Sequence, residues 1–182
     1  MQLSLSRRAL FKGRFSKPEP LPVRPPWAQS EHTFLDLCSR CDKCLGACES
    51  RILVRGDGGY PTVDFTLGAC TFCRACVNVC PEGALTQFEP EAEPQAAPWH
   101  LTAHIDQGCL SANGITCRVC GDRCDARAIR FQLAVGGVAH PIIDPAACTG
   151  CGACVAPCPA GVITIEHKAK HRAEHKAEEA SL

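Results

Sequence analysis

Apolar positions in this chain come in short bursts, not in long periodic runs. "YPTVDF" (60–65) and "HPIIDP" (140–145) set β-branched residues among prolines and aspartates and read as short strands. "ALTQFE" (84–89) and "VITIEH" (162–167) read as return strands. No stretch approaches the ~20 apolar residues of a membrane helix. After Lys12 the text "GRFSKPEPLPVRPPWAQSEHT" is broken by Arg14, Lys17, Glu19 and Arg24, and by five prolines that exclude a helix. Residues 1–30 therefore read as a basic, Pro-rich arm, and "EPEAEPQAAPW" (89–99) as a linker. Residues 167–182 read as a charged tail. There His167, His171 and His175 would share one face of a solvated helix laced with Lys, Arg and Glu.

The pattern repeats once. "ESRILVRGDGGYPTVDFTLGAC" (49–70) matches "DARAIRFQLAVGGVAHPIIDPAAC" (125–148): an acid, an arginine two residues on, a Gly-Gly, a proline, an aspartate, then Ala-Cys. "PEGALTQFE" (81–89) likewise matches "PAGVITIEH" (159–167). The copied unit is thus about half the chain, giving one domain at 31–88 and a second at 100–166.

Composition changes this picture at one point. The 19 basic and 19 acidic residues cancel, so no global charge points to nucleic acid or an anionic surface. Aromatic residues make up only 5% of the chain, too few for a conventional core. Against this stand sixteen cysteines, which would serve disulfides in a secreted chain and metal or iron–sulfur sites in a cytosolic one.

The spacing chooses between these. The cysteines fall in four runs: Cys38, Cys41, Cys44 and Cys48; Cys70, Cys73, Cys76 and Cys80; Cys109, Cys117, Cys120 and Cys124; Cys148, Cys151, Cys154 and Cys158. Runs one, two and four are C-x2-C-x2-C-x3-C, the spacing that bacterial ferredoxins use for a 4Fe–4S cluster. Three thiolates two residues apart can reach three corners of one cube. Gly46, Ala47, Ala75, Gly150, Gly152 and Ala153 let the backbone approach. Such a wrap suits three independent disulfides poorly. Zinc sites use C-x2-C pairs separated by a longer loop.

A short helix of about two turns is expected after each third cysteine, with the fourth cysteine facing away. In two-cluster ferredoxins that fourth cysteine serves the other cluster. Applied here, the rule gives four 4Fe–4S clusters. The first takes Cys38, Cys41, Cys44 and Cys80; the second Cys70, Cys73, Cys76 and Cys48. The third takes Cys109, Cys117, Cys120 and Cys158; the fourth Cys148, Cys151, Cys154 and Cys124. The fold class is then α+β: two tandem bacterial two-cluster ferredoxin-type domains. Run three departs, with "LSANGIT" between Cys109 and Cys117 where two residues are usual. Either it is a tolerated surface insertion, or it loosens the mouth of the third site and with it the place of Cys109.

No phosphate-binding Gly-rich loop and no Ser/His/Asp arrangement is legible, so no enzyme activity is expected. "SRRALFKGRF" (6–15) looks like a twin-arginine export address, but no apolar segment follows it. Together with the four runs and the long third run "CLSANGITCRVCGDRC", it resembles the NapF family, the ferredoxin-type proteins of bacterial periplasmic nitrate reductase systems.

The resemblance implies a cytoplasmic four-cluster protein that acts on the precursor of the catalytic molybdenum subunit before export. The basic element would then help it meet its client's export machinery; the plainer reading is a loose terminus. No nucleic acid and no membrane span are implied. The alternative function is an electron-transfer polyferredoxin feeding an oxidoreductase.

Overall fold

The apolar bursts become strands of three to five residues, paired two by two. The structure, a computed structural model, describes residues 22–86, 98–134 and 138–168. In the first half β1 (Leu53–Arg55) pairs antiparallel with β2 (Pro61–Val63), Leu53 opposite Val63. In the second half β4 (Ile129–Leu133) pairs with β5 (Ala139–Ile143), Ile129 opposite Ile143. The strands expected at "YPTVDF" and "HPIIDP" are thus present.

The two ends of the second half close on each other, β3 (Leu101–Ile105) against β6 (Ile163–His167). The first half repeats this closure as a single bridge between Ala28 and Leu85. Each half is therefore a hairpin enclosed by its own termini, in keeping with the internal repeat and with a mixed α+β class. Among the described residues no helix is long and apolar enough to cross a membrane.

Helices are shorter than expected. After α1 (Glu31–Leu37) come α2 (Lys43–Ala47), α3 (Ala75–Asn78) and α4 (Val119–Asp122), each little more than one turn. They contain the third cysteine of their run and do not follow it. The reason is the chain's next task. At Cys48 the backbone is already extended (φ −77°, ψ 103°), so the helix stops as soon as the fourth thiol has turned away. The corresponding stretch of run four, 153–157, forms turns only.

Two boundaries differ from the sequence reading. Residues 22–30 belong to the first unit and not to an arm. Pro25 is fully buried, and the Val23 carbonyl accepts from Val63 N (2.8 Å) and Thr62 Oγ1 (2.9 Å). The Arg24 guanidinium pairs with Glu31 at 2.6 Å and lies 5.1 Å from the centre of the Phe34 ring. Prolines cannot donate to a sheet, but the carbonyls between them can accept. His167 likewise ends β6, opposite Leu101, and is no part of a tail helix. His171 and His175 lie outside the described residues, as do residues 6–15 and most of the linker.

The core runs through both halves. Phe34, Ile52, Leu53, Val63, Phe65, Cys76, Ala84 and Leu85 form one buried cluster together with Leu101, from the second half. Trp99, Val155 and Ile165 pack against that same cluster. Ala103, Cys120, Ile129, Cys154 and Ile163 form the other. The halves meet along a seam. There Cys70 N donates to Cys151 O (2.9 Å) and Trp99 Nε1 to Thr149 O (2.7 Å). The Trp99 ring stands edge-on to Phe65 and Phe72, at 5.8 and 5.5 Å.

Candidate metal centres

Between the cysteines of a run the backbone turns left-handed at fixed places. In run one these are Arg40 (φ 58°) and Asp42 (φ 60°). In run two they are Phe72 (φ 55°) and Arg74 (φ 65°), in run four Gly150 (φ 71°) and Gly152 (φ 80°). One such residue between successive thiols is the backbone hand that anion-binding nests use. Phe72 N already points at Cys70 Sγ (3.4 Å), and Ala128 N at Cys124 Sγ (3.3 Å).

A further left-handed residue stands three places after every fourth cysteine: Arg51 (53°), Gly83 (64°), Arg127 (51°) and Gly161 (61°). Residues other than glycine pay ~1–2 kcal/mol for this conformation. The Arg127 side chain is exposed, so little packing offsets that cost. Arg127→Gly should therefore stabilise the protein by about 0.5–1 kcal/mol. The check is slower thermal bleaching of the bound chromophore; faster bleaching would refute it.

Three cavities collect the thiols. One, of about 370 Å3, is lined by Cys38, Cys41, Cys44 and Cys80. The next, of about 380 Å3, is lined by Cys48, Cys70, Cys73 and Cys76. Another, of about 360 Å3, is lined by Cys109, Cys117, Cys120 and Cys158. In each case three thiols come from one run and the fourth from its partner run, the grouping that the ferredoxin rule gives. For the remaining set, Cys154 lies near Cys148 and Cys151, and Cys124 and Cys148 pack against the same core cluster.

These sites fit a 4Fe–4S cluster. The donors are soft thiols, four to a cavity. Among the described residues no three His, Cys, Asp or Glu side chains converge as they would on a single metal ion. Four sulfurs spread around a cavity suit a multi-atom core, not one zinc. Burial pushes these thiols up: Cys44, Cys70, Cys76 and Cys120 to about 11, and Cys154 to about 12. At neutral pH they are protonated, so ligation must displace protons.

Run three achieves the same end differently. Arg118, which would be left-handed by analogy, has φ −135°, and the long loop uses Gly114 (φ 81°) instead. The insertion is braced. Asn113 Nδ2 donates to Gln107 O and Cys109 O, both at 2.8 Å, and buried Ser111 donates to Ala139 O. Residues 113–116 are exposed, as a surface insertion requires, while Cys109 stays buried on its cavity wall. The looser-mouth reading finds no support in this geometry.

The seam places a second demand on some of the small residues. A Cβ on Gly46 would meet no protein atom within 4 Å, so the seam makes no demand there. Gly150 and Gly152 are demanded by the seam. A Cβ on Gly150 would stand 2.6 Å from the Leu101 Cβ, and one on Gly152 2.6 Å from Phe65 Cγ. The signal was in the sequence: run four has glycine where runs one and two have Arg40, Asp42, Phe72 and Arg74.

Comparison with known proteins bears on the cofactor. Residues 37–85 and 140–180 each match a family described as a 4Fe-4S dicluster domain. Ferredoxin-type protein NapF of Escherichia coli (strain K12) is 41% identical over 167 residues, covering 92% of this chain and 98% of that protein. Ferredoxin-type protein NapF of Haemophilus influenzae is 42% identical over 171 residues, 89% of this chain and 94% of that one. Methylamine utilization ferredoxin-type protein MauM of Methylorubrum extorquens is 32% identical over 166 residues, 82% and 74% of the two chains.

Proposed function

Because this chain belongs to the NapF family of ferredoxin-type iron–sulfur proteins, with two dicluster segments and hence four 4Fe–4S clusters, we propose that it serves the periplasmic nitrate reductase as a cytoplasmic, non-catalytic maturation factor. Its client is the precursor of the catalytic molybdenum subunit, met before export. The observation that carries this reading is end-to-end similarity, which covers 98% of the Escherichia coli relative.

All sixteen cysteines are ligands in this reading, four to a cluster, in the sets given above. When bound, such clusters supply one-electron transfer. The chain's own part is to hold and surround them. Left-handed residues turn the backbone between successive thiols, and Phe34, Pro61, Ala84 and Leu85 wall the first cavity with apolar surface. The Arg55 guanidinium pairs with Asp42 on the edge of that cavity and holds its carboxyl below the usual carboxylate range.

The test is to purify the tagged protein anaerobically from nitrate-respiring cells and sequence the N-terminus of any molybdenum subunit that accompanies it. A subunit that still carries its leader is the expected result. Recovery of leader-free enzyme or of a quinol-linked redox partner alone would replace maturation with the second reading, a plain electron carrier. The contact of Cys70 N with Cys151 O (2.9 Å), which joins cysteine runs of the two halves, favours that second reading.

A further inference from the structure

The two halves could have met through any surface. They meet through run two and run four. Cys70 N donates to Cys151 O across the seam at 2.9 Å, which brings these two ligand positions side by side. Within the halves the third cysteines play the equivalent part. Cys44 of run one lies near Cys76 of run two, and Cys120 of run three near Cys154 of run four. Phe65, Phe72 and Trp99 close around the junction, and Gly152 gives Phe65 its place.

We propose that the four ligand sets stand in one unbroken line in the order first, second, fourth, third, with the Cys70–Cys151 contact as the joint between the halves. The sets built on Cys38 and on Cys109 are then the two ends. The second and fourth sets form the middle and are neighbours across the seam. This order does not follow the sequence, and a chain of two independent ferredoxin-type domains would not require it. The inference rests on the ligand sets and not on the client, so it stands or falls separately from the maturation role.

Electron paramagnetic resonance of the reduced holoprotein tests it. Cys41→Ser with Cys117→Ser removes a ligand from each end set and leaves the middle pair. Cys73→Ser with Cys151→Ser leaves the end pair. Iron content at half the unaltered value confirms the loading of each. The middle pair should show a spectrum broadened by spin–spin interaction, with fast relaxation. The end pair should show sharp signals of isolated centres. Isolated signals from the middle pair, or equal coupling in both variants, would overturn the order.

Should the serine variants lose all their iron, Trp99→Ala keeps every cysteine and loosens the seam by removing the Thr149 contact. Its fully reduced spectrum should lose the part of the coupling that joins the halves. An unchanged spectrum would also overturn the proposal.

Discussion

Removing the iron by chelation will unfold most of this protein: far-UV circular dichroism should collapse toward that of an unfolded chain, and denaturant transitions should lose their cooperativity. The reason lies in how little else holds it. The described strands have at most five residues and pair only in twos, and isolated two-stranded hairpins are marginal in water. The longest described helix, α1, has seven residues, well short of the ~12–15 needed for independent stability.

Four of the buried apolar residues are themselves cysteines: Cys76, Cys109, Cys120 and Cys154. Without the clusters, the apolar walls of the thiol sites would be left without contact partners. Ligation and folding are one equilibrium in such domains. A near-native dichroism spectrum after complete iron removal would show that the apolar clusters suffice alone.

Gly152→Ala should be the most damaging glycine-to-alanine change among the described residues. The backbone there is left-handed (φ 80°), and the new Cβ would fall inside the Phe65 ring's contact distance, 2.6 Å from Cγ and Cε1. Left-handed strain of ~1–2 kcal/mol and overpacking of ~1–3 kcal/mol together predict a loss of roughly 2–4 kcal/mol. Gly161→Ala is the matched control. It has the same backbone hand (φ 61°), but nothing lies within 4 Å of its Cβ position. It should cost only about 1 kcal/mol. The comparison is made by rates of thermal bleaching, because unfolding with cluster loss is irreversible. Equal rates for the two variants would remove the seam as the reason for that glycine.

Much of the site was legible because cysteine spacing is a strong local constraint. The four thiol groupings, the internal repeat and the strands at 61–63 and 139–143 all rest on short-range pattern. What escaped notice depends on contacts between distant segments. "LPVRPPW" reads as a tether because prolines break regular structure, yet Pro25 is buried and the Val23 carbonyl completes the edge of β2. Helix α1 has Phe34 as its one buried residue, and seven residues are too few for an apolar period to stand out. His167 belongs to a strand because Leu101, more than sixty residues earlier, pairs with it. The left-handed Arg40 and Arg74 contradict local propensity and reflect the demand to wrap four sulfurs around one centre.

The seam also bears on inheritance. A duplicated segment begins as two interchangeable copies, each free to be lost or to drift. Here Leu101 fills the first copy's core, and Trp99 caps it against Thr149 of the second. Phe65 of the first copy occupies room that only the second copy's Gly152 leaves. The copies have become complementary, like two cut halves of one object. A descendant that discarded either would inherit an uncovered wall with it. Either half taken alone would expose an apolar wall that the other now covers.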